Sequence, residues 1–133
     1  MMTIKELKRQ LLELAYDDLF GVLTRNGLKQ KIKQIKKPFN ALFIDIDNMK
    51  QLNADRGYDL VNDLIKDAIS NFKFRQDDII GRYFSGDELL IICEFPKKLA
   101  KRLKTQFKER GLTFKHKYFY GLTNIEDISQ GLK

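Results

Sequence analysis

The chain has 133 residues, a length suited to one domain (1–133), and its 43% apolar content is ordinary for a globular protein. Twenty-five Lys and Arg against 18 Asp and Glu give a net charge of +7, which permits a phosphate-bearing ligand without identifying one. The longest apolar run, Leu89 to Cys93, is too short to cross a bilayer, and the lone Cys93 excludes an internal disulfide and a cysteine-cluster metal site.

Charges at Lys5 and Glu6 occupy the place of a signal peptide's apolar region, so a cytoplasmic protein is expected. Ile4, Leu7, Leu11 and Leu14 recur at spacings of three and four, which predicts a leading helix over 3–16. Asp17 to Gly21 breaks it. A second helix is expected from Asn26, as its N-cap, to about Lys37, where Pro38 stops it. Phe39 to Ile46 reads as a strand running into Asp45-Ile46-Asp47. A short helix over 48–54 and a turn at Gly57 follow. The stripe Val61, Leu64, Ile65, Ala68 and Phe72 predicts a helix with Asp59 as cap.

Asp78 to Phe84 and Glu88 to Glu94 read as strands joined in a β-hairpin by Ser85-Gly86-Asp87. Pro96 opens a helix at its first position, with Leu99, Leu103 and Phe107 on one side. Thr113 to Leu122 is a fourth strand, and 124–132 a short helix. The lysines of 29–37 and 97–104 fall on helices and are expected to be solvated; neither nucleic acid nor membrane is an expected partner. The order implies an α+β, two-layer fold in which helices cover one face of a mostly antiparallel sheet.

Two acidic clusters stand out. Asp45-Ile46-Asp47 closes the first strand, and Asp87-Glu88 sits at the hairpin tip. If those strands are neighbours, the Asp45 and Asp87 carboxylates meet at one sheet edge, an arrangement that costs free energy unless a cation neutralises it. Hard oxygens without His or Cys nearby suit Mg²⁺ or Mn²⁺, and a metal pair suits phosphoryl transfer to a 3′-hydroxyl. Taken alone, each cluster reads more readily as solvated acids at a strand end or hairpin tip. Ser85-Gly86 lets backbone N–H groups approach phosphate, though ordinary turn chemistry also uses Gly.

Together the segments resemble the GGDEF (diguanylate cyclase) family. Asp17-Asp18-Leu19-Phe20-Gly21-Val22-Leu23-Thr24-Arg25 is similar to its D-x-L-T-G-L-x-N-R motif, and Phe43 to Asn53 to its F-x-D-I-D-x-F-K-x-I-N. Arg56 to Asn62 stands where Y-G-H-x-x-G-D is usual, and Asp78 to Leu89 resembles the strand-hairpin-strand with the name-giving signature, here SGDEL. The resemblance implies a palm-like nucleotidyl cyclase fold with a ferredoxin-like core. It implies Asp45 and Asp87 as metal ligands, assisted by the Ile46 carbonyl. Glu88 would be a further ligand or would help deprotonate the attacking hydroxyl, and Ser85 and Gly86 would lie against phosphates. Two subunits, each holding one nucleoside triphosphate, would face each other as a homodimer and close a cyclic dinucleotide. The alternative is a degenerate module that binds nucleotide or a protein partner without turnover.

Departures from the family pattern shape these expectations. Asn53 keeps the Asn that contacts guanine, whereas Asn62 falls where Asp is usual, unless a one-residue shift places Asp63 there. An amide offers one acceptor and one donor group, a pattern that also complements adenine, so GTP, ATP or both are expected substrates. The hairpin carries one extra residue, Phe84, and Tyr58 replaces a His. Arg75 and Asp78 match the R-x-x-D product-binding motif one residue out of place, and the favoured reading is a helix-end Arg and a strand-start Asp. The tail after the fourth strand is shorter than in the family, whose terminal helix supplies a lysine to the triphosphate; Lys133, Lys50 or Arg82 is expected to substitute. That brevity also resembles minimal CRISPR-type polymerase palm domains.

Overall fold

The computed structural model describes residues 2–15, 20–83 and 87–132, with the backbone alone for 10–15. The elements follow the expected order: α1 (Ile4–Ala15), α2 (Arg25–Gln34), β1 (Phe39–Ile46), α3 (Met49–Arg56), α4 (Tyr58–Ser70), β2 (Ile79–Arg82), β3 (Glu88–Ile92), α5 (Pro96–Lys108), β4 (Phe114–Leu122) and α6 (Glu126–Gly131). Among the described residues no helix is long and apolar enough to cross a membrane.

Local chemistry sets the helix ends. Thr3 and Glu6 form a reciprocal capping box: the Glu6 N–H donates to Thr3 Oγ1 at 3.1 Å, and the Thr3 N–H to Glu6 Oε2 at 3.4 Å. Helix α2 begins earlier than expected, because Thr24 and not Asn26 is the cap; its hydroxyl accepts the Gly27 N–H at 3.1 Å. The far end is closed by the Lys37 ammonium on the Ile32 and Ile35 carbonyls. Asp59 is likewise not a cap. Gly57, at φ 86°, ends α3 through its N–H on the Asn53 carbonyl and at once begins α4, leaving Asp59 in the first turn. Pro96 opens α5 as predicted.

The sheet has the order β2-β3-β1-β4, with every neighbouring pair antiparallel. Strand β1 is central and buried on both faces. Leu42, Ile44 and Ile46 join Leu89 and Ile91 in one core with Val61, Ile65 and Ala68 of α4 and Leu99, Leu103 and Phe107 of α5. Ala41 and Phe43 join Leu90 and Ile92 in a second core with Leu28 and Ile32 of α2 and Ile128 of α6. The α+β class and antiparallel sheet are as expected, but helices cover both faces and not one. The near-continuous apolar run of β1 carried that information, since a one-sided strand alternates.

The edge of β2 is protected by the chain just before α2. The Leu23 N–H donates to the Ile80 carbonyl at 3.2 Å and the Arg82 N–H to the Leu23 carbonyl at 2.9 Å. Gly81 permits this approach: a Cβ there would meet Leu28 Cβ at 3.0 Å and the Leu23 carbonyl oxygen at 3.2 Å. Cys93 is buried, and burial pushes its thiol up to about 12, as befits an inert core residue.

Gly81→Ala is expected to cost about 1–3 kcal/mol by forcing α2 off the sheet edge. Urea unfolding of the variant beside the wild type checks this; an unchanged midpoint would show that the edge yields freely.

Candidate functional site

The chemistry-bearing residues gather where β1 ends and β3 and β4 begin. In the register, Asp45 lies opposite Glu88 on one side and opposite Lys115 on the other. Residues directly across an antiparallel pair point to the same face, so these three side chains share the face that also carries Phe43 and Leu90. The Ile46 N–H donates to the Asp87 carbonyl at 2.9 Å, fixing the descending arm of the hairpin against the end of β1.

Three carboxyl groups are thereby held together, and the proton affinities of Asp45 and Glu88 show it. Burial, then the charge of Asp87, raises the Asp45 carboxyl above its ordinary range; Lys115 opposes this in part, and a side-chain hydrogen bond with Asp87 adds to it. Glu88 is raised by burial, then by Asp45 and Asp87. One oxygen of Glu88, Oε2, is buried without a hydrogen-bond partner. A buried, unsatisfied carboxylate oxygen beside two further carboxylates is a fit for a hard divalent cation. Among the described residues no group of three His, Cys, Asp or Glu side chains is drawn together tightly enough to hold an ion unaided. An ion here would complete its shell with backbone carbonyl, phosphate and water oxygens, as Mg²⁺ commonly does.

Asp47, two residues on from Asp45, has a different task. Its Oδ2 accepts the Thr113 hydroxyl at 2.9 Å, its N–H donates to the Thr113 carbonyl at 2.9 Å, and its Oδ1 lies 4.0 Å from the Lys115 ammonium. It clasps the end of β1 to the start of β4. Asn48 then takes a left-handed conformation, φ 57°, and turns the chain into α3.

The expected base-contacting residues lie on the helical pair joined at Gly57. Asn53 of α3 is half-buried with its Oδ1 buried and unpaired, and Asn62 of α4 is half-buried beside the core residue Val61. Lys50 is exposed in the first turn of α3, beside the rim. Arg82 does not face the carboxylates: it pairs opposite Leu89, whose side chain enters the α4–α5 core, and its guanidinium stacks over Phe20 at 4.6 Å. Ser85, Gly86 and Lys133 lie outside the described residues, as do Asp17 to Leu19 of the leading motif.

Arg75 and Asp78 sit at the opposite end of the sheet and close a turn. The Arg75 N–H donates to Asp78 Oδ2 at 2.8 Å and the Asp78 N–H to the Arg75 carbonyl at 3.0 Å. The Arg75 guanidinium is engaged by Glu94 at 3.2 Å and lies over the Phe95 ring. The residue missed in the sequence is Lys115, which no motif marks. The alternation of Phe114, Lys115, His116 and Lys117 was its one signal.

An antiparallel sheet between helices, with acids where the central strand meets a hairpin, is the palm-like cyclase fold. Residues 15–125 match the family model described as diguanylate cyclase, GGDEF domain, and the chain belongs to the GGDEF family. A diguanylate cyclase from Vibrio cholerae is 26% identical over 148 aligned positions, covering 96% of this chain and 44% of the relative. A cyclic di-GMP phosphodiesterase, NbdA, from Pseudomonas aeruginosa is 26% identical over 108 positions, covering 71% of this chain and 14% of the relative. The chain thus spans less than half the length of each of these curated relatives. Among solved structures, a microbial GGDEF domain described for its interaction with cyclic di-GMP superposes with a TM-score of 0.65 at 22% identity, covering 84% of this chain and 78% of that one.

A carboxyl whose folded-state pKa is raised weighs against stability once ionised. The penalty is absent below the ordinary carboxyl range, grows through the interval up to the raised value, and is complete above it. Asp87→Asn relieves both Asp45 and Glu88, so in EDTA it is expected to stabilise the protein at pH 8 by a few tenths of a kcal/mol, the scale of partly solvated pairs. The gain should vanish near pH 3, below the ordinary carboxyl range. Thermal unfolding at the two pH values checks this, and a loss of stability at pH 8 would contradict the repulsion.

Proposed function

We propose that this domain is a divalent-metal-dependent nucleotidyl cyclase that condenses two nucleoside triphosphates into a cyclic dinucleotide across a homodimer, in the cytoplasm. The observation that carries this reading is the convergence of Asp45, Asp87 and Glu88, with an orphaned buried oxygen on Glu88. Three carboxyl groups held together against their repulsion are costly in a module that only binds.

Asp45 and Asp87 would hold Mg²⁺ or Mn²⁺, with Glu88 and the Ile46 carbonyl as further ligands. When bound, the ions supply charge neutralisation at the α-phosphate and make the attacking hydroxyl more acidic. In each half-reaction a 3′-oxygen of one nucleotide bonds to the α-phosphorus of the other, and the bond to pyrophosphate breaks. The proton released from the hydroxyl passes towards Glu88, whose proton affinity is raised by burial and then by Asp45 and Asp87. Two such transfers, one from each subunit, close the ring and release two pyrophosphates. Asn53 and Asn62 would read the base. With an amide at position 62, the preference between guanine and adenine would shift by roughly tenfold or more, the scale of about 1–3 kcal/mol for a buried mismatch.

The second reading, a nucleotide-binding module without turnover, draws on one observation: among the described residues the acids do not form a self-sufficient metal cluster. Incubation of the protein with each triphosphate and Mg²⁺ or Mn²⁺, with mass spectrometry of the products, separates the two. Cyclic dinucleotide is expected, and Asp87→Ala should lower its rate by about a hundredfold or more, several kcal/mol of transition-state stabilisation. Use of GTP alone would remove the relaxed-base component. Independently of activity, millimolar Mg²⁺ should raise the unfolding temperature of the wild type and leave that of Asp45→Asn unmoved.

A further inference from the structure

The rim carries an asymmetry that no motif announces. Asp45 stands at its centre, with Asp87 and Glu88 on the β3 side and Lys115 on the β4 side. A triphosphate bears about four negative charges, so a rim of carboxylates repels it even when divalent ions offset part of that charge. A cation must therefore stand near Asp45 and remain available to the ligand.

Among the described residues, few lysines or arginines meet that condition. Arg82 stacks on Phe20 and belongs to the opposite face. Lys117 shares the face of Lys115, but its ammonium donates to the Gly131 carbonyl at the end of α6. Lys50 is exposed on α3, outside the sheet register. Among the described residues, Lys115 alone is the cation held by the register directly across from Asp45, close enough for its charge to act on that carboxyl. Its side chain is 85% exposed, and its ion pair with Asp47 is a loose one at 4.0 Å, to a carboxylate whose other oxygen accepts the Thr113 hydroxyl. A long, mobile ammonium beside the reacting end of the sheet is a point-charge phosphate binder.

We propose that Lys115 of β4 receives the terminal phosphates of the nucleotide, so that the triphosphate lies across the rim from the carboxylates to this lysine. The proposal rests on the cyclase reading above. It assigns the phosphate-binding cation to a strand, in place of the expected terminal lysine, Lys133.

Equilibrium binding of α,β-methylene GTP and ATP, and of GMP and AMP, in Mg²⁺ tests it with the wild type and with Lys115→Ala, Lys115→Arg and Lys117→Ala. Lys115→Ala should weaken binding of the triphosphate analogues by about tenfold or more, as loss of a charge-assisted phosphate contact does. Monophosphate binding should change less than about twofold, and Lys115→Arg should restore most of the loss. An unchanged triphosphate affinity in Lys115→Ala would overturn the proposal and leave the cyclase reading intact. So would an equal loss for mono- and triphosphates, or an equal loss in Lys117→Ala. If the wild type bound no triphosphate analogue and formed no product, both readings would fall together.

Discussion

Like charges directly across an antiparallel strand pair repel, and sheets ordinarily avoid placing them there. Asp45 and Glu88 occupy such a pair, and Asp87 adds a third acid at its end. The arrangement persists because the four residue pairs behind it, from Ala41 with Ile92 to Ile44 with Leu89, are buried. A slip of one residue would turn Leu42 and Ile44 out of one core and Ala41 and Phe43 out of the other. Apolar burial on both faces thus holds the carboxylates where electrostatics alone would part them.

The rest of the rim is organised around that fixed point. The Ile46 bond to Asp87 sets the hairpin, and the Asp47 clasp on Thr113 sets β4. Each element bearing a charge is therefore pinned by a backbone contact within one or two residues of it. Functional groups carried on packed strands keep their geometry better than groups on loops. The side-to-side gradient from acids to Lys115 is a property of strand order, since β1 lies between β3 and β4.

Much of this was legible in the sequence, and the reasons differ by element. The strand Phe39–Ile46 announced itself by apolar continuity, α5 by Pro96 followed by an i, i+4 apolar series, and the acid clusters by their position at strand ends. The second helical layer was not read, although the lack of alternation in β1 contained it. Helix starts went astray where side-chain oxygens competed: Thr24 and Asn26 both suit a cap, and Gly57 begins α4 without any side-chain bond. Lys115 was invisible because its meaning lies in register. Nothing local distinguishes it from Lys117, whose ammonium is taken up by a carbonyl about fourteen positions away in sequence.

Cys93 offers a last consequence. It follows β3 directly, its N–H donates to the Asn40 carbonyl, and it belongs to the core that carries α4 and α5. A thiol so reluctant to ionise reacts with alkylating reagents only when that core opens. The protein therefore contains a native chemical clock for its own breathing motions. The rate at which Cys93 is modified, with and without nucleotide, times how often the layer beneath the central strands lets solvent in.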